Sequence, residues 1–394
     1  MGDRSKRLNV QYSLINVLYL ALICGTMGFA ANYLLDQGMA NAMVGVILTT
    51  VSVLNACIQA FSAPIVDKSE VINEKKFIMA SLLIGAISCA VLLFGGKTLL
   101  IPAVILTFAA ASVGMPFLNS VAFLYEKEGI EINYGVSRGL GSAAYAVAGW
   151  AFGKFLVDHS PSTLPWAYLL FFALTFFAVF TLPEPKAENE ESEEVKKAES
   201  ISYGEFFRKY RKLTTVVLGM VLIYFCHFMI NNFMINVVTA IAGADGASGY
   251  QGTAVFIQAM VELPAMFLFA QLLKKFGVNQ LMGFAAVMYA LKHIVVLISV
   301  FSRSVPMYYG AMVLQGLSYA VIVPAAVYFA NEMVEKADLN KGQSVVALSS
   351  TVGGLFASLV GGSLFDLMSV GGVLVIGVIA TIAGAVLIFI TTRR

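Results

Sequence analysis

Six ionisable side chains stand where apolar sequence surrounds them: Arg138, Lys154, His227, Glu262, Lys292 and His293. In hydrocarbon each charged group costs about 2.5 to 3.5 kcal/mol on insertion scales, so each needs a partner or a use. Glu262, in Gln258-Ala-Met-Val-Glu262-Leu-Pro264, is the one acid deep in such a segment, and Pro264 loosens the helix beside it. Two chemistries fit. Glu262 and Lys292 can form a structural ion pair, or the carboxylate can bind substrate and carry a proton, because a buried acid beside a mobile base can change protonation near neutral pH. Lys292 and His293 are adjacent, and neighbours on a helix diverge by about 100°. At most one can point squarely at a central cavity, and Lys292 is the expected one. His227 and Asn231, at i and i+4, share a face that suits either a polar cavity wall or an interhelical hydrogen bond. Asn119, Tyr145, Gln258, Gln315 and Tyr319 are neutral candidates for such a wall, with Gln59 beside them; interhelical hydrogen bonding is the plainer alternative for each.

The elements carrying these residues are long and apolar. Of 394 residues, 59% are apolar and 12% charged, and the mean hydropathy is +0.83. Soluble surfaces need about twice that charge. A membrane-crossing helix takes roughly 20 apolar residues, and hydropathy outlines twelve segments: 10–34, 41–66, 76–95, 98–124, 137–158, 164–182, 213–240, 249–273, 278–301, 305–331, 343–367 and 371–391. The expected fold class is an all-α membrane protein with twelve transmembrane helices. Charged joints (67–76, 126–138, 274–275, 332–341) alternate with nearly uncharged ones (95–97, 242–248, 370–372). Of the 25 Lys and Arg residues, only Lys97 and Arg303 lie in loops on the sparsely charged side. The positive-inside rule then places both termini in the cytoplasm and requires an even number of spans. The first apolar segment, after Met-Gly-Asp-Arg-Ser-Lys-Arg, runs about 25 residues, longer than a signal core, and reads as a first transmembrane helix.

Several function classes are disfavoured. The net charge is +2 and the basic residues are scattered among short loops, so no nucleic-acid footprint is expected. Cys24, Cys57, Cys89 and Cys226 lie in apolar segments without CxxC spacing and read as buried small hydrophobes, with neither disulfide nor metal chemistry. Gly353 and Gly354 lie too deep for a phosphate loop, and no GxxxxGK[ST] occurs. No paired membrane aspartates, HExxH or Ser/His constellation appears, so an enzyme is not expected, and no cofactor is implied.

The chain reads as duplicated. Tyr134 to Tyr145 sets Arg138 at the mouth of a small-residue helix, and Asn340, Lys341, Gly342 and Gln343 introduce a similar run in the second half. Gly135 to Asp158 spans 23 positions and Gly342 to Asp366 spans 24. Between the halves, 182–212 is hydrophilic and begins with an acidic stretch through Glu194. Its end, Ile201 to Lys212, carries Tyr203, Phe206, Phe207 and Tyr210 among basic residues, as an amphipathic helix on the membrane surface would. The expected organisation is a six-helix bundle over 1–182, a cytoplasmic linker over 183–212 and a second, pseudo-symmetric six-helix bundle over 213–394. The glycine pairs Gly139 and Gly141, Gly353 and Gly354, and Gly361 and Gly362 are expected to let helices pack closely.

Tyr134-Gly-Val-Ser-Arg138-Gly-Leu-Gly141-Ser142 resembles the YGxxRxxGS signature that opens the fifth helix of lactose-permease-like major facilitator proteins. These include oligosaccharide, nucleoside and phenylpropionate proton symporters. Ala63-Pro-Ile-Val-Asp67-Lys68, followed by Lys75 and Lys76, is similar to their GxxxD(R/K)xGRR loop, with alanine for the first glycine and a longer loop. The resemblance implies a cytoplasmic gate at Asp67 and Lys68. It implies sugar-type contacts at Arg138 and Tyr145, a substrate-binding acid at Glu262, and a base assisting its deprotonation at Lys292. The fourth-helix acid of that group has no counterpart, since Ser120 or Val121 occupies the region. Gln315 and Ser318 stand where a histidine and the proton-carrying glutamate of the tenth helix would be. The resemblance therefore implies a transporter of a small polar solute, a sugar or nucleoside, with a site near the midplane between the halves and alternating access. Proton coupling would run through Glu262 and Lys292; a monomer in the inner (cytoplasmic) membrane is expected. Efflux of amphipathic compounds, suggested by 29 Phe and 17 Met, and uniport are the alternatives.

Overall fold

The structure is a computed structural model and describes residues 3–68, 72–184 and 201–393. These are almost wholly helical, with no strand among the described residues. In a bilayer each backbone N–H and C=O must be paired within its own segment, so long apolar runs settle as helices. Eleven helices are long and apolar enough to cross a membrane. One of them, Ala247–Ser302, has 56 residues and at about 1.5 Å per residue is far longer than one crossing. It bends at Gly277, whose φ of 73° and ψ of 162° lie outside helical geometry. Two spans, 247–276 and 278–302, therefore meet there, and the described residues hold twelve. Lys274 and Lys275, expected in a loop, end the first of these within continuous helix. Glycine, lacking a Cβ, is what allows the joint to be a single residue.

The chain divides into two compact units, Met1–Asn189 and Glu190–Arg394. In the first, spans 1 to 6 are Arg4–Gly28, Asn41–Val66, Glu74–Phe94, Lys97–Lys127, Tyr134–Asp158 and Pro161–Thr181. In the second, spans 7 to 12 are Arg211–Asn232, the two halves of Ala247–Ser302, Val305–Met333, Lys336–Leu367 and Val370–Arg393. Side-chain caps start several spans: Asn73 accepts from the Lys76 N–H at 2.9 Å and Asn133 from the Val136 N–H at 3.1 Å. Large apolar side chains cover the outside, with Phe267 77% and Leu367 79% exposed, as a lipid-facing surface requires.

Within each unit the fifth crossing lies against the first through glycine. A Cβ on Gly141 of span 5 would stand 3.1 Å from the Asn16 carbonyl oxygen of span 1. A Cβ on Gly353 of span 11 would stand 2.6 Å from Tyr224 Cβ of span 7. Gly139 meets nothing within 4 Å and does not share this role. Cys24, Cys89 and Cys226 are buried, but Cys57 is exposed, because span 2 turns that face outward. Lys154 is likewise exposed on span 5 rather than enclosed.

The segment after the linker forms the short helix Tyr203–Lys209, and the chain turns at Tyr210 into span 7. Ser202 and Glu205 close a capping box at its start. Phe206 is fully buried in the second unit. The acidic run from Glu188 to Glu194 lies outside the described residues.

Candidate functional site

Span 10 is built to place one side chain. After Val305–Val313 it tightens into a 3₁₀ turn, Leu314–Gly316, and resumes at Tyr319. The Ser318 hydroxyl donates to the Leu314 carbonyl at 2.8 Å inside this break. A Cβ on Gly316 would lie 2.6 Å from the Val261 carbonyl oxygen, so only glycine lets the turn rest on span 8 beside Glu262. Pro264, two residues beyond Glu262, lies inside that helix and cannot donate to the Met260 carbonyl.

Gln315, 3% exposed, sits in this turn. Its Nε2 donates to Glu262 Oε1 at 2.8 Å, and its Oε1 accepts from Lys292 Nζ of span 9. Lys292 is fully buried and is the one charged side chain among the largest fully buried ones. Among the described residues no direct ion pair joins Lys292 to Glu262. A neutral amide stands between an ammonium and a carboxylate, its acceptor end toward the cation and its donor end toward the anion. This agrees with neither alternative drawn from the sequence in simple form: acid and base are coupled, but through a third residue.

Next to this chain lies a packed cluster of rings. The His227 ring stacks on Tyr319 with centroids 5.2 Å apart and planes at 16°, and meets Tyr289 edge-on at 5.5 Å. Asn231 Nδ2 donates to the His227 carbonyl at 3.0 Å and lies 3.1 Å from its ring Nε2. His293 Nδ1 is 2.8 Å from Thr381 Oγ1 of span 12. Thr381 Oγ1 also donates to the Gly377 carbonyl at 2.9 Å, so His293 Nδ1 is suited to be the donor to it. Lys292 and His293 thus diverge as helical neighbours should, but both are fully buried, one toward span 10 and the other toward span 12. Gln258, one turn before Glu262, donates to Met312 Sδ at 2.9 Å.

In the first unit Arg138 is half-buried near the start of span 5. Its Nη1 is enclosed without a hydrogen-bond partner among the described residues, as is Asn119 Oδ1 on span 4. A Cβ on Gly28 would stand 3.3 Å from the Tyr145 hydroxyl, at the end of the π-helical turn Cys24–Gly28 in span 1. Asp67 and Lys68 end the helix Asn41–Lys68, and their side chains lie outside the described residues. The structure therefore brings together Glu262, Gln315 and Lys292, and separately His227, Asn231 and Tyr319. Tyr289, His293 and Thr381 complete the second group and had no place among the expected site residues. Their signal was available as spacing: Tyr289 and His293 are i and i+4 on span 9. No metal-holding group of three or more His, Cys, Asp or Glu occurs among the described residues.

A family model described as the MFS_1 like family matches residues 9–374. No curated protein matches the chain in sequence. Among solved structures, a point mutant of the nucleoside transporter NupG is similar with a TM-score of 0.78 at 12% identity, covering 98% of this chain and 99% of that one. A bacterial homologue of the iron transporter ferroportin, in an inward-facing state, gives a TM-score of 0.71 at 12% identity, covering 98% and 99%. A bacterial homologue of the human lysosomal transporter Spinster gives 0.67 at 14%, covering 100% and 98%. At these identities the likeness is one of fold, whereas the family model spans most of the sequence. The chain belongs to the MFS_1-like family of major facilitator transporters, multi-pass membrane proteins that are carriers rather than enzymes.

Proposed function

We propose that the protein is a secondary transporter that carries a small polar solute, a sugar or a nucleoside, across the cytoplasmic membrane in symport with protons. The observation that supports this reading best is the chain Glu262–Gln315–Lys292, a membrane-embedded acid and base that are linked but not locked in an ion pair. An acid in a span is costly unless it is used, and a bridged acid is free to change protonation where a directly paired one is held. The fold likeness to the nucleoside transporter NupG favours nucleosides among the solutes to try first. In this reading residues 1–182 and 213–394 are the two six-helix bundles, joined by a cytoplasmic linker over 183–212, and both termini are cytoplasmic. Glu262 and Lys292 carry the coupling; Arg138, Tyr145, Asn119, His227, Asn231, Gln258 and Tyr319 serve the solute, and Asp67 and Lys68 the cytoplasmic gate. The protein acts as a monomer.

The test is uptake by the purified full-length chain in liposomes, with labelled uridine, adenosine and lactose as probes and with an imposed pH gradient. Accumulation of one probe that follows the gradient, and is lost in Glu262→Gln, supports symport. Gradient-driven uptake unchanged in Glu262→Gln removes Glu262 from the mechanism. Extrusion of an amphipathic dye with no uptake of any probe replaces the reading with efflux, and uptake indifferent to the gradient replaces it with uniport.

A further inference from the structure

A direct ion pair between Glu262 and Lys292 would be shorter than the bridge that the protein builds. The backbone brings Gln315 to a place from which its side chain reaches both groups. The 3₁₀ turn Leu314–Gly316 presents it, Ser318 ties the turn to Leu314, and Gly316 seats the turn on the Val261 carbonyl next to Glu262. An amide has one acceptor end and one donor end, so what faces one end fixes what the other can accept. With its oxygen on the Lys292 ammonium, its NH₂ must face Glu262, and it meets a carboxylate there with a charge-assisted bond.

A proton arriving on Glu262 turns that bond into a weaker one to a neutral acid and leaves the buried Lys292 ammonium with only an amide dipole opposite it. The amide cannot turn over to compensate, because its NH₂ would then face the ammonium, donor against donor. It can turn over only if Lys292 also gives up a proton, and then the reversed amide serves a neutral amine and a protonated acid equally well. Meanwhile the inserted side chain lengthens the separation of the two charges, and Coulomb attraction falls with distance. The hydrogen bonds to Gln315 thus give the two ends a route of contact beside the Coulomb attraction that acts through space.

We propose that Gln315 is the positioning residue that makes Glu262 and Lys292 titrate as one unit, its amide passing the protonation state of one end to the other. This rests on the reading of Glu262 as the coupling acid. It also separates Gln315 from the solute contacts. The other titratable groups around the pair are Tyr224, Cys226 and His227 of span 7, Tyr289 and His293 of span 9, and Tyr319 of span 10. All are common to the variants compared below.

The full-length chain in lipid nanodiscs, without any solute, is titrated by infrared difference spectroscopy of the protonated-carboxyl band. The Glu262 component is the part lost in Glu262→Gln. Lys292→Met is expected to displace the midpoint of that component by about one pH unit or more. In a Gln315→Met background the same Lys292→Met change is expected to displace it by less than half as much. Gln315→Asn, which keeps an amide but is one methylene too short to reach both ends, should lose the coupling as the Met variant does and stands in if the latter fails to fold. Equal displacements with and without Gln315 would show that the ends sense each other through space and that Gln315 is only a spacer. A Glu262 component that does not titrate between about pH 4 and about pH 10 would equally overturn the proposal. The transport reading is judged apart from this, by gradient-driven uptake in Glu262→Gln.

Discussion

The two six-span units share their backbone irregularities but not their charges. The first crossing of each unit ends at a phenylalanine outside helical geometry, Phe29 (φ −117°, ψ 19°) in one and Phe233 (φ −116°, ψ 32°) in the other. The fourth crossing of each is interrupted, at Gly114 in span 4 and at Leu314–Ser318 in span 10. Yet the basic side chain partly enclosed in the first unit, Arg138 with its buried Nη1, stands near the start of span 5. The second has a linked acid and base at the corresponding interruption. Helix breaks thus belong to the duplicated scaffold, whereas the linked acid and base stand in one copy. A break exposes backbone and gives side chains room, and what stands in the room is free to differ.

The strongest way to break this division is Glu262→Gln, which should lower pH-driven accumulation at least about tenfold while the chain stays folded and monodisperse. A charge-assisted bond is worth about 1.5–3 kcal/mol, so Arg138→Met should come next, raising the KM for solute by about tenfold or more. Its effect on the pH dependence of uptake should be nil. A shifted pH profile in Arg138→Met would mean that coupling is shared between the units, and the contrast between them would fall.

A smaller effect sharpens the scaffold side of the comparison. Gly353→Ala puts a methyl 2.6 Å from Tyr224 Cβ and 3.0 Å from the Val221 carbonyl oxygen, atoms that cannot move aside cheaply. Overpacking of this kind costs about 1–3 kcal/mol, read as a thermal midpoint lower by several degrees. Gly141→Ala meets a leucine methyl at 2.7 Å and a backbone oxygen at 3.1 Å, and should cost less because Leu20 can turn. Gly139→Ala meets nothing and should be neutral or slightly stabilising through helix propensity. Equal losses at all three positions would contradict the packing described for spans 5 and 11.

Much of this was legible in the sequence because hydrocarbon leaves so few options. Twelve apolar runs, their charged and uncharged joints and the repeat of a small-residue helix after Gly135 and Gly342 follow from the cost of burying backbone and charge. The Lys274–Lys275 joint was misplaced for a physical reason: two lysines at a helix end look like a loop, while the bend is made by Gly277 just after them. Glu262 and Lys292 were legible as expensive residues. Their linkage was not, since a glutamine bridge depends on the 3₁₀ turn at Leu314–Gly316, which no periodicity announces. Tyr289 and His293 are hard to single out, because rings in an apolar helix look like ordinary packing. Cys57 looked buried because a residue's hydropathy does not say which face of a span meets lipid.

The smallest effect concerns a tie that both units make at the same place in the repeat. Arg4, at the start of span 1, lies 3.7 Å from Glu128, just after span 4. Lys209, ahead of span 7, lies 2.8 Å from Glu335, just after span 10, and 3.2 Å from Asp338. The second tie is reinforced, because the Tyr210 hydroxyl also donates to Asp338 at 2.8 Å and Lys341 donates to the Ile201 carbonyl. Its acceptors, Glu335 first and then Tyr210, hold the Lys209 ammonium above the usual lysine range. A basic group raised in the folded state contributes in full below its unfolded value of about 10.4 and loses that contribution only as pH climbs through the folded value. The tie should therefore be constant from about pH 6 to about pH 9, so it cannot supply the pH sensitivity proposed for Glu262. Lys209→Met should speed amide hydrogen exchange in 203–209 severalfold and equally across that range. Arg4→Met, which removes a longer contact from a side chain 66% exposed, should leave exchange near span 1 unchanged, as solvated pairs generally do. Equal protection losses at both places would mean that the tie, like the helix breaks, belongs to the scaffold in full strength in each copy.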